Sequence, residues 1–205
     1  MLDELLNEVR RLTDGDDDVD TIVRACELVD DGLKVRIEIR LKPSLSSVWT
    51  LVARGMRDFE FSPGWVGDVP QLLTAHPVLL PFTEPQSVLH IRGSSQAPLS
   101  ILGALCLKHS ECVGNWLKFS DCVATNMFTP DPWSNEHGIV ASGPVTLLRS
   151  YQTVLDSYGL RCSIPTGQFP LSFQVGERKG DQHPLYCVLV GANWVVSEQF
   201  DAYQE

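Results

Sequence analysis

Long hydrophobic runs are missing from this chain, and so is a cationic start. The greasiest stretch, residues 99–107, is interrupted by Ser100 and Gly103 and falls far short of the roughly 18 apolar residues a membrane span needs. The opening Met1, Leu2, Asp3 and Glu4 offers neither a basic stretch nor an apolar h-region, so no secretory signal is expected and the sequence reads as cytoplasmic. Positive charge is scarce as well: 16 Lys and Arg against 26 Asp and Glu give a net charge of −10. That balance argues against a nucleic-acid coat and an anionic-membrane binder, because both need a cationic surface.

The common catalytic signatures are lacking too. No G-x-S-x-G, H-E-x-x-H, G-x-x-x-x-G-K or G-x-G-x-x-G occurs, which removes the usual nucleophile elbow, zinc-protease helix and phosphate-binding loops. Six cysteines, Cys26, Cys106, Cys112, Cys122, Cys162 and Cys187, are spread over a long chain with no export signal, so reduced thiols are expected rather than a disulfide framework. No cofactor and no metal is expected.

What is present fits one globular domain, residues 1–205, with 43% hydrophobic residues available for a core. Leu2, Leu5, Leu6, Val9 and Leu12 recur at helical spacing and predict an amphipathic N-terminal helix. Residues 14–20 then break the pattern with crowded carboxylates around Gly15. The clearest signal follows: Leu33, Val35, Ile37, Ile39 and Leu41 alternate with Lys34, Arg36, Glu38, Arg40 and Lys42, as in a half-buried strand. Asp30, Asp31 and Gly32 supply a turn, and residues 22–29 are its partner strand, with a helix there as the rival.

Further strands are predicted at 49–61, bulged at Gly55, then at 87–91, 160–164, 186–190 and 194–200. Four prolines within residues 70–85 leave room only for a short helix around 71–75. Helices are predicted from Pro98 to about His109, with Leu99, Leu102, Leu105 and Cys106 on one side, and from Pro144 at the first helical position to Gly159 just past the end. Residues 128–143 read as an irregular loop. Strands near strands, with helices between groups, indicate an α+β fold: a mainly antiparallel sheet with an N-terminal helix and two further helices packed on it.

Candidate chemistry is sparse. Residues 1–31 hold 11 acids and 3 bases, so almost all the net charge lies at one end, where Asp16, Asp17, Asp18 and Asp20 offer a docking surface for a basic protein. The plainer reading is a solvated face. Asp16, Asp18, Asp20 and Glu27 fit positions one, three, five and twelve of a calcium loop, but Thr21 stands where the sharp turn needs glycine. Cys106, His109 and Cys112 are zinc-type ligands, yet steps of three drift round a helix, and small core cysteines explain them better. Cys112 or Cys122 with His137 and Asp131 makes a thiol triad on paper only. Trp65 and Trp133, with Glu136 and His137, sit in Pro- and Gly-rich loops where aromatics often mark binding surfaces. Lys34, Arg36, Arg40 and Lys42 form the one local concentration of positive charge; such a face usually guards a sheet edge or meets water, and it is also able to pair with the acidic N-terminal segment or a second copy.

Taken together, these features point to a non-catalytic protein–protein interaction domain, an acidic binder of the inhibitor or immunity kind, with a basic protein partner and a homo-oligomer compatible with the sequence. The alternative is a small-molecule-binding or hydrolytic enzyme with a pocket formed by the 70–85 and 128–143 loops.

Overall fold

The computed structural model describes residues 2–13, 19–41, 45–93, 97–128, 137–168, 170 and 183–205. Its contacts gather the chain into two compact units, Met1–Leu79 with Gln182–Glu205, and Leu80–Asp181. The first unit opens with helix α1 (Leu2–Thr13), followed by β1 (Val19–Val29), β2 (Gly32–Leu41), β3 (Leu45–Glu60), β4 (Gly64–Trp65), β5 (Gln71–Leu73) and a 3-10 turn at Pro77–Leu79. The second unit contains α2 (Leu80–Thr83), β6 (Gln86–Arg92), α3 (Pro98–Val113), α4 (Phe119–Cys122), a 3-10 turn at Thr125–Phe128, β7 (His137–Pro144), α5 (Val145–Ser157) and β8 (Arg161–Ser163). Strands β9 (Tyr186–Val190) and β10 (Asn193–Gln204) complete the first unit.

Among the described residues the fold is α+β, and every ladder is antiparallel. Seven strands of the first unit run in the order β4-β1-β2-β3-β10-β9-β5. The alternation in β2 works as the pleat requires: Leu33, Val35, Ile37 and Ile39 are buried, and their partners Ala53, Leu51 and Trp49 on β3 face the same core. Helix α1 lays Leu2, Leu5 and Val9 into that core. Asp3 and Glu4 in its first turn and Arg10 and Arg11 in its last suit the helix dipole. Val29 pairs with Gly32, so the β1–β2 connection is the two-residue turn Asp30-Asp31. Only glycine fits its exit, since a Cβ on Gly32 would lie 1.8 Å from the Ala53 carbonyl oxygen. The bulge expected at Gly55 falls instead at Arg57, where Val196 and Ser197 pair with Asp58 and Met56.

In the second unit β6 is central, flanked by β7 and β8, and α3 and α5 pack there around Leu105, Leu148, Tyr151 and Leu155. Helix α5 ends in a Schellman arrangement. Gly159, at φ +76°, donates its N–H to the Asp156 carbonyl, and Leu160 donates to that of Leu155. Pro144 caps the start, one position earlier than expected.

Several expectations need correction. Residues 71–73 are a strand paired with β9, not a helix; the short helical turns come later, at 77–83, where Pro77 and Pro81 need no helical N–H partner. Val19 and Asp20, placed in the irregular acidic run, already belong to β1. Residues 137–143 are not loop but β7: Val140 and Ala141 are buried beside β6, and Gly138 admits the Met127 methyl, which would lie 2.6 Å from a Cβ. On α3 the buried stripe is Ile101, Leu105, His109 and Val113, so Leu99 and Cys106 point to solvent.

Candidate functional site

The outward face of the large sheet carries a set of charged side chains from neighbouring strands. Register places Asp20, Ile22, Ala25 and Glu27 of β1, Lys34, Arg36, Glu38 and Arg40 of β2, and Val48, Thr50 and Val52 of β3 on the side opposite the core. Glu38 is at its centre. Its Oε2 accepts from Arg24 Nε at 2.6 Å and its Oε1 from Arg40 Nε at 2.7 Å, and these bonds from Arg40 and Arg24 hold the carboxyl below its ordinary range. Arg36 pairs with Glu205, whose Oε1 also accepts from Thr50 Oγ1 at 2.8 Å. Arg54 faces Asp201 at 3.5 Å. Of the positive face expected from β2, Arg36 and Arg40 are thus paired with carboxylates of their own sheet, while Lys42 and residues 14–18 lie outside the described residues.

Trp65 stands at the margin of this face. Strand β4 pairs it with Ile22, and the residue is 69% exposed, with its ring beside Gly67. An indole that open is available to a partner without any rearrangement. Asp20 is half-buried on β1 opposite Arg40. His137 is exposed at the first residue of β7 in the other unit. Asp16, Asp17, Asp18, Trp133, Glu136 and Asp131 lie outside the described residues, which takes the calcium-loop reading and half of the 128–143 segment with them. Sequence reasoning missed Arg24, Asp201 and Glu205. Only the alternating charges of β2 hinted at them.

The cysteine and histidine combinations separate. His109 is 4% exposed, and both ring nitrogens are engaged: Nε2 lies 2.6 Å from the Leu117 carbonyl and Nδ1 2.5 Å from Tyr151 Oη. A carbonyl only accepts, so Nε2 carries the proton and Nδ1 accepts from the phenol. Cys106 and Cys112 are exposed while His109 points into the core, and among the described residues no group of three His, Cys, Asp or Glu is placed to hold a metal. Burial, helped by Asp121, pushes the Cys122 thiol up to about 11, the reverse of what a nucleophilic thiolate needs.

A pocket lined by Ile91, Gly93, Pro98, Ile101, Met127, Phe128 and Leu160 has a volume of about 10 Å³, room for one water and far below the several hundred Å³ of a metabolite site. Among the described residues no helix is long and apolar enough to cross a membrane. No family model matches the chain, and no curated protein or solved structure is similar to it.

Proposed function

We propose that this chain is a non-catalytic protein–protein interaction domain that acts on a basic partner, in the manner of a small acidic inhibitor or immunity protein. The observation that carries the reading is where the charge resides. The Met1–Leu79 and Gln182–Glu205 unit has 18 acids and 9 bases, and the Leu80–Asp181 unit 8 acids and 7 bases, so −9 of the net −10 belongs to the unit that also exposes Trp65. Concentrated charge speeds encounter and selects partners, and an exposed indole beside it supplies desolvated contact area. Six free thiols suit a reducing compartment such as the cytoplasm.

The test is affinity capture across a salt series, with wild type beside an Asp16→Asn/Asp17→Asn/Asp18→Asn/Asp20→Asn variant. Wild type is expected to retain a basic protein at low salt and lose it as exposed charges are screened beyond about 10 Å at 0.1 M. The variant should fold and lose the partner already at low salt. Capture of nothing at any ionic strength, together with turnover of a small substrate, would overturn the reading in favour of an enzyme.

A further inference from the structure

We infer that the open edge of β1 takes up an extended, basic segment of the partner as an added strand. This rests on the binding reading above and specifies the surface used and the shape of what binds. Strand β4 pairs only with Ile22 and Val23, and the Thr21 carbonyl accepts from the Val66 N–H at 2.9 Å. Beyond these contacts, among the described residues, nothing pairs with residues 24–29 on that side.

Register fixes which backbone groups look outward. Thr21 turns its carbonyl to β4, so its pair with Ile39 is of the class that makes no bonds across to β2. Ile39, Ile37, Val35 and Leu33 alternate regularly along β2, and the bulge between Val23 and Ala25 keeps Cys26 opposite Val35 and Leu28 opposite Leu33. The N–H and C=O of Cys26 and Leu28 therefore face the open edge. Leu28 leaves its side chain 63% exposed beside them, an apolar contact for an incoming strand.

Charge selects the occupant. Glu27, Asp30 and Asp31 are exposed and their carboxylates have no partner among the described residues. Arg24 is committed to Glu38, and Lys34, opposite Glu27 in register, offsets one of the three. A second copy would bring these acids against themselves, whereas a strand bearing Lys or Arg would neutralise them while its backbone completes the ladder.

The probe is a blocked six-residue peptide alternating Lys and Val, with a Glu-for-Lys counterpart, added to the full chain and followed by amide hydrogen exchange. At saturation the Lys peptide should slow exchange at Cys26 and Leu28 at least tenfold. Leu28→Pro removes an outward N–H without touching the β2 ladder and should weaken binding at least tenfold. Glu27→Gln/Asp30→Asn/Asp31→Asn should weaken it severalfold and abolish its salt dependence, and it decides the matter if the proline variant loses the β2 protection that reports folding. Peptide binding without protection at Cys26 and Leu28, or equal binding of the Glu counterpart, would overturn the edge and leave the basic-partner reading standing. Protection of these amides by self-association in the absence of peptide would overturn it in favour of a second copy. Failure to bind this peptide or any basic protein would overturn both.

Discussion

Where the first unit carries 18 acids against 9 bases and laces its sheet with Arg24–Glu38–Arg40 and Arg36–Glu205 pairs, the second is nearly neutral. It joins its two long helices through a buried His109–Tyr151 hydrogen bond. Glu38 is buried, but Arg24, Arg40 and Arg36 are each about half exposed; ion pairs with so accessible a member contribute little to stability, about 0.2–1 kcal/mol each, and surplus charge of one sign costs some. A buried polar pair is different, because losing one member strands the other without water. The acidic surplus of the first unit is thus a poor explanation of its stability and a better one of what it meets.

The contrast can be broken most forcefully at the core it assumes. Ile37→Asp puts a carboxylate among Val35, Leu51 and Trp49 and should cost about 4 kcal/mol in a denaturant titration; a loss below about 1 kcal/mol would mean that this face is not inside. Next comes the buried pair. His109→Ala leaves the Leu117 carbonyl and the Tyr151 hydroxyl unpartnered and opens a cavity, for an expected loss of about 3 kcal/mol. Tyr151→Phe should cost only 1–2 kcal/mol, approximately. If both were silent, the second unit would need another account. Burial pushes the Tyr151 phenol up, so its hydroxyl stays protonated and able to donate throughout the neutral range.

The smallest effects belong to the sheet's outer face. Arg36→Ser should change stability by about 0.5 kcal/mol or less, vanishing in high salt. Glu38 sharpens the point through pH. Its folded pKa lies below the ordinary value because Arg40 and Arg24 bond the carboxylate, so its contribution is present above the ordinary glutamate range and is lost as pH falls through the depressed value. Acid titration of wild type should therefore show a loss that Glu38→Gln lacks, and identical acid profiles would show that the triad contributes nothing.

The sequence made some of this legible and hid the rest for identifiable reasons. Helix α1, strand β2 with its turn, and helix α5 with Gly159 declared themselves because period, cap and turn residues agree locally. Strand β7 did not, since Gly138 and Gly143 read as loop punctuation and Pro144 as a helix start, while the pairing that orders them lies on β6. The buried face of α3 was misplaced because His109 counts as polar and Leu99 as apolar, although the histidine has partners in the core and the leucine has none there. Trp65 was found as an aromatic outside long regular elements. The Thr50–Glu205 bond, spanning 155 positions, leaves no local trace.

The pairing of β3 with β10 sets the order in which the molecule can be made. Trp49 meets Gln204 and Glu60 meets Trp194, so a chain leaving the ribosome has produced all of residues 80–181 before β3 finds its second neighbour. By the end of that interval the inserted unit has helix α5 and strand β8 in hand and its own core contacts available. Sheet closure must wait, and it is slowed by the entropy of bringing such distant segments together. Until then β3 carries a bare edge along most of its 16 residues, so a pause in synthesis ahead of residue 193 is the moment at which this protein is most exposed to aggregation and most dependent on chaperones.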